Sequence, residues 1–168
     1  MQKRVWSTAL AVALLFIGFH AVAQQDVDKH GSCKYCGMDR KMFAHSRMLL
    51  VYDDGSELGS CSLHCVAVDL ALNIDKTPTT IQVADFNTKN LIDAEKAVWV
   101  IGGEKPGVMT KRAKWAFEKK ADAEAFIQAN KGVLADFEAA IKASYEDMYT
   151  DTKMIREKRK AKRMKQGS

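Results

Sequence analysis

The chain has 168 residues, 47% of them hydrophobic, which bounds it to one ordinary domain or two very small ones with a buried core and excludes disorder of the whole. Its formal net charge of +5 is uneven: Lys3 and Arg4 carry +2, and Lys153 to Lys165 holds eight basic residues against Glu157 alone, leaving residues 24 to 152 at about −4. A nucleic-acid binder needs basic residues on a folded surface with stacking aromatics among them; neither is present, and that class is excluded.

Lys3 and Arg4 precede an almost unbroken apolar run from Thr8 to Phe19, followed by the small-x-small cleavage site Ala21-Val22-Ala23. The run is too short to span a bilayer comfortably, and polar Gln24-Gln25-Asp26 follows at once. Residues 1–23 therefore read as a secretory signal peptide, with a retained N-terminal anchor as the competing reading. Export would place the rest in the periplasm or a comparable compartment, soluble after cleavage, where thiols pair unless a metal or partner protects them.

Residues 24–32 read as a polar linker. Ser46 to Tyr52 is apolar-rich and suits a strand, Asp53-Asp54-Gly55-Ser56 is a hairpin turn, and Glu57 to Cys61 returns as a second strand. From Ser62 the period changes, with Leu63, Val66, Ala67, Leu70 and Leu72 on a helix that Ser62 is placed to cap. Thr79 to Val83 reads as a third strand. The order then repeats: a strand over Ala94 to Ile101, an extended stretch over Val108 to Phe117, a helix over Ala121 to Asn130 ended at Lys131-Gly132, and a short strand from Gly132. A last helix begins at Phe137 and runs toward the basic tail. The expected fold class is α+β: a ββαβ unit over residues 33–90, a second over 91–137, and a helical basic tail over 138–168. Trp99, Trp115 and Phe117 are expected in the core. The tail reads first as a solvated helix end and second as a surface for anionic lipid or an acidic partner.

All four cysteines lie in two close pairs, Cys33-Lys34-Tyr35-Cys36-Gly37-Met38 and Cys61-Ser62-Leu63-His64-Cys65. An antiparallel hairpin between them puts the start of its first strand and the end of its second at the same side, and Cys65 is one helical turn from Cys61. The pairs therefore converge, and a helix N-terminus beside them favours thiolate. Three chemistries fit: four thiolates holding Zn(II), soft ligands selecting Cu(I), or two disulfides. A thioredoxin-like redox role is weaker, because Cys33 and Cys36 precede a strand and no βαβ unit surrounds them. Met38, Met42 and Met48 lie near the first pair, and Met109 follows the Pro106-Gly107 breaker. Methionine is more often packing than ligand, but thioether suits copper and not zinc, so it tips the balance a little.

Cys-x-x-Cys-Gly-Met before a hairpin, the segment Asp-Ala-Glu-Lys-Ala-Val-Trp-Val-Ile-Gly at 93–102, the Pro-Gly-Val-Met turn at 106–109 and Ala-Asp-Ala-Glu-Ala-Phe at 121–126 resemble the NosL family, copper-binding accessory proteins of nitrous-oxide reductase. The resemblance runs from about Cys33 to Leu134. It implies two small ββαβ units and carriage of Cu(I) to an apo copper enzyme of the nitrous-oxide reductase type or its membrane assembly complex. The family's knuckle falls on Cys33, Cys36 and Met38, and its turn on Met109. Two features depart from the family: the first motif cysteine, commonly lipidated there, lies ten residues past the expected cut, and Cys61-Ser-Leu-His-Cys65 is similar instead to YHS and TRASH metal-trafficking domains. The expected ligands are Cys33, Cys36, Cys61 and Cys65, with Met38, His64 and Met109 as auxiliaries, in a metallochaperone and not an enzyme. The alternative is a structural zinc or disulfide-stapled module that docks a membrane or redox partner through its tail.

Overall fold

The computed structural model describes residues 25–166; the expected signal peptide lies outside them. The segment expected as a linker instead carries a short helix, α1 (Gln25–Lys29). It persists because Asp26 is buried between two guanidinium groups. Arg40 Nη2 and Arg47 Nε donate to Asp26 Oδ2 at 2.8 and 2.9 Å, and Arg47 Nη2 reaches Oδ1 at 3.1 Å. Arg40 also donates to the carbonyls of Asp26, His30, Ser60 and Met48. One carboxylate thus fastens the N-terminal helix to the loop that follows the first cysteine pair.

β1 (Met48–Tyr52) and β2 (Glu57–Ser60) form the expected hairpin, with Met48 opposite Ser60 and Val51 opposite Glu57. Along β1 the odd-numbered positions fall half-buried while Met48, Leu50 and Tyr52 are buried, the period of two that turns one sheet face inward. Met48, Leu50, Leu58, Val66 and Val83 are essentially inaccessible, each contributing about 1.5–3 kcal/mol by burial. α2 (Leu63–Leu72) follows; Ser62 holds the N-cap position with extended backbone, but its side chain makes no capping hydrogen bond. β3 (Pro78–Ala84) then pairs with β1, and β4 (Leu91–Asp93), which the sequence pattern did not indicate, extends the sheet to the order β2-β1-β3-β4.

The second unit is β5 (Val98–Ile101), β6 (Lys114–Phe117), α3 (Lys120–Asn130) and β7 (Val133–Ala135), in sheet order β6-β5-β7. Both units place the first strand centrally, its hairpin partner on one side and the strand after the helix on the other, all antiparallel. β5 starts later than expected because Asp93 closes a turn, accepting from the Glu95 N–H with Oδ1 at 3.0 Å and from the Ala97 N–H with its carbonyl at 3.0 Å. The extended stretch expected from Val108 shrinks to β6 because residues 107–113 fold back on themselves. A Cβ on Gly107 would stand 2.8 Å from the Thr110 carbonyl oxygen, and Met109 takes a positive φ of 62°.

The sheets meet at Asp85, which bridges to Ala116. Its Oδ1 accepts from Asn87 and Thr88, and its Oδ2 from the Glu118 N–H at 2.8 Å. α4 (Phe137–Gln166) is one continuous helix of 30 residues, about 45 Å long. Phe137, Ala140 and Ile141 pack with Leu63, Val66 and Ala67 of α2 and with Trp99, so the first core draws on both units. Residues 156–166 are exposed throughout, as a solvated basic helix end requires. No helix among the described residues is long and apolar enough to cross a membrane. The architecture is α+β, two tandem ββαβ units, the first extended by β4, followed by a basic helical tail.

Candidate metal centre

The first cysteine pair sits on a tight knuckle. The Cys33 N–H donates to the Met38 carbonyl at 2.9 Å and the Gly37 N–H to the Cys33 carbonyl at 2.9 Å. Gly37 has φ 74°, a left-handed conformation that a side chain would disfavour, so glycine directly after the pair has a physical reason. The second pair leaves the hairpin at Cys61 and enters the first turn of α2 at Cys65. Ser46 Oγ donates to the Cys61 carbonyl at 2.8 Å, holding the end of the second strand against the start of the first.

The four sulfurs converge, all within 4.8 Å of one another. Cys36 Sγ lies 3.4 Å from Cys61 Sγ, and Cys61 Sγ 3.9 Å from Cys65 Sγ. Four thiolates around a tetrahedral ion with bonds of about 2.3 Å would be spaced by about 3.8 Å, so the cluster has the dimensions of a metal site. All four are free thiols; a disulfide requires sulfurs about 2.05 Å apart. Cys33, Cys61 and Cys65 are no more than 2% exposed, while Cys36 is half-buried. The cluster therefore communicates with solvent on the Cys36 side.

Its surroundings come mostly from the other unit. The cysteines belong to a second core with Val100, Val108, Trp115, Phe117 and Phe126, beside Phe43 and Phe86. Charge is distributed unequally among the thiols. Hydrogen bonds from Cys36, Cys61 and Cys65, with the Cys36 N–H, push the Cys33 thiol well down. For Cys36, the hydrogen bond with Cys33 raises the value, but those with Cys61 and Cys65 and the Met38 N–H prevail and lower it. Cys61 and Cys65 are pushed far up by their hydrogen bonds to Cys33 and Cys36 and by burial. Neighbouring thiolates repel, so the fully ionised cluster requires a cation at its centre.

A further contact ties the knuckle to α2. The hydroxyls of Tyr35 and Tyr52 both donate to the buried Asp69 carboxylate, and Lys34 Nζ stands 3.4 Å from Asp69 Oδ1. Burial and the adjacent Asp69 charge raise both phenols far above their ordinary range, so they remain donors. Sequence reasoning missed Asp69, which lies four residues beyond Cys65 on a helix otherwise read for its apolar face.

The auxiliary candidates divide. Met38 and Met109 line a cleft of about 540 Å³ that also reaches Cys36. His64 does not join the four-sulfur group: it is buried against α4, with Nδ1 3.6 Å from Asp151 Oδ2. Desolvation lowers the His64 imidazole, with Asp151 acting against it. Met48 is core and Met42 is 74% exposed, so neither crowds the site as expected. Met154, from α4, lines the same cleft as Met38 and Met109. The sequence placed it in a tail read as solvated, and only the path of the helix brings it back.

A search of curated proteins found no match to the chain. Among solved structures, the chain is similar to the crystal structure of the copper chaperone NosL from Shewanella denitrificans, with a TM-score of 0.52 and 24% sequence identity over 64% of this chain and 87% of that one, a likeness of fold. The family model for NosL matches residues 24–145, most of the chain and the whole of the cysteine cluster. This protein belongs to the NosL family.

Proposed function

We propose that the protein is an exported copper chaperone: it holds Cu(I) on Cys33, Cys36, Cys61 and Cys65 and passes it to an apo copper enzyme of the nitrous-oxide reductase type or to its membrane assembly complex. The observation that carries this reading is the convergence of four free thiols, three buried and one beside an open cleft. Soft sulfur ligands favour Cu(I), which remains in one oxidation state throughout. Transfer is ligand exchange: an incoming donor from the acceptor attacks on the Cys36 side and the protein's sulfurs release in turn, so no electron is moved. Met38 and Met109 stand where such an exchange would pass. The exposed basic end of α4 is the surface we assign to reversible contact with an anionic membrane or with the assembly complex.

A second reading, structural Zn(II), is favoured by the sulfur spacings, which bracket those of a tetrahedral site. Anaerobic titration of the reduced protein with Cu(I) against a competing chelator separates the two. The chaperone reading expects tight Cu(I) binding that falls sharply in a variant with all four cysteines changed to serine. Binding no tighter than that variant's would sink it.

A further inference from the structure

The four thiols are not equally accessible. Cys33, Cys61 and Cys65 are no more than 2% exposed, whereas Cys36 is half-buried and lines a cleft of about 540 Å³. Cys61 is its buried neighbour, the two sulfurs standing 3.4 Å apart although 25 positions separate them in the chain. A disulfide bond is about 2.05 Å long, so roughly 1.4 Å remains to be closed. Ser46 Oγ holds the Cys61 carbonyl at 2.8 Å, and the approach therefore falls to Cys36 on its surface knuckle. One sulfur that a reagent can reach, close to one that it cannot, is the arrangement of an attacking and a resolving thiol. Cys65, 3.9 Å from Cys61, is itself enclosed and has no such access.

We propose, resting on the chaperone reading of the cluster, that Cys36 and Cys61 form a reversible disulfide that closes the site to copper, with Cys36 as attacking thiol, Cys61 as resolving thiol and a small anionic disulfide of the glutathione type as co-reactant. The Cys36 thiolate attacks one sulfur of the disulfide R–S–S–R, forming Cys36–S–S–R and expelling R–S−. Cys61 Sγ then attacks Cys36 Sγ, forming the Cys36–Cys61 bond and expelling the second R–S−. The two protein thiols give up two electrons and two protons, and two molecules of R–SH leave. Lys111, Lys158 and Arg159 line the cleft and no acidic side chain does, so the entry favours a disulfide that carries carboxylates. The oxidised cluster keeps only Cys33 and Cys65 as thiols, two donors in place of four, and its open sulfur is spent. A dithiol reductant reverses both steps and restores the site. Bound Cu(I) occupies the same sulfurs and blocks the attack, so the modification falls on the empty protein.

The test treats the reduced, metal-free protein with oxidised glutathione under anaerobic conditions, so that dioxygen is not the oxidant. The intact mass is recorded, free thiols are alkylated in denaturant, and the peptides are mapped. The expected product is two hydrogens lighter, with Cys36 linked to Cys61 and with Cys33 and Cys65 alkylated. It loses the tight Cu(I) binding of the reduced protein and regains it after dithiothreitol. Cystamine, a cationic disulfide, should react more slowly than oxidised glutathione. Cys61→Ser should stop at a mixed disulfide of glutathione on Cys36, and Cys36→Ser should form neither product. No reaction, a Cys33–Cys36 link, two disulfides formed together, a faster reaction with cystamine, or an oxidised form that binds Cu(I) as tightly as the reduced one overturns the proposal. The wild-type map decides this even where a variant fails to fold. Protein that forms the Cys36–Cys61 bond but binds no Cu(I) when reduced would instead be the failure of the chaperone reading, which keeps the two apart.

Discussion

Cys36 and Cys61 are 25 positions apart, yet their sulfurs approach to 3.4 Å, and only Cys36 of the pair reaches the surface. This pairing of an open thiol with a buried one gives the cluster a direction. It also separates the two metals that the cluster could hold. Zn(II) in a structural site uses all four sulfurs, whereas Cu(I) accepts fewer. Cys36→Ser should therefore lower Zn(II) affinity by more than tenfold and Cu(I) affinity by only about tenfold or less, while slowing exchange of Cu(I) to an acceptor thiol. Competition titrations with both metals check this; equal losses would remove the distinction between Cys36 and the buried thiols.

The Tyr35–Asp69 contact predicts a positional effect without any change of ligand. Tyr35→Phe removes the hydroxyl that ties the knuckle to α2 and leaves the ring in place. The expected cost is about 1.5–3 kcal/mol of stability in urea denaturation, with a measurable loss of metal affinity because Cys33 and Cys36 are no longer held against Cys65. Stability reduced at unchanged metal affinity would limit Asp69 to a packing role.

Asp26 faces Arg40 and Arg47, both essentially inaccessible. Asp26→Ala leaves two buried guanidinium groups without their carboxylate, a change that costs about 3–5 kcal/mol. A shift of the denaturation midpoint worth less than about 1 kcal/mol would show that the N-terminal helix is dispensable.

Asp85 makes stability fall in acid. Despite its burial, the N–H groups of Thr88, Glu118 and Asn87 and the Thr88 hydroxyl hold its carboxyl below the usual carboxylate range. A lowered folded value means that the ionised form stabilises the fold fully above about pH 4 and that this contribution disappears as pH falls through the depressed value. Asp85→Asn should flatten that acid limb and, by turning an amide N–H toward donors, cost about 1–3 kcal/mol near neutral pH. Chemical denaturation of both proteins between pH 2 and 7 measures it; parallel curves would contradict the assignment.

What the sequence made legible is local. The turn at Asp53–Ser56, the knuckle glycine and the one-turn spacing of Cys61 and Cys65 are short-range features, and together they brought the four sulfurs to one place. The strand–strand–helix–strand order could be read for the same reason. What escaped it depends on distant partners. Asp26 looks like a solvated residue until Arg40 and Arg47 fold onto it. β4 is three residues long, too short for a periodic pattern. The loop at 107–113 is rich in residues that tolerate extended backbone, and its reversal comes from Gly107 packing against Thr110 and Ala113. His64 lies at ligand spacing from Cys61, but its side chain meets Asp151 on a helix whose course no local signal gives.

Metal content and thiol count on protein purified anaerobically from the compartment in which it works decide whether the four thiols carry Cu(I). The expected result is copper bound to the native protein, absent from the four-serine variant, and four reduced cysteines after the metal is removed. A native mass four hydrogens light, meaning two disulfides, or retained zinc in place of copper would contradict it.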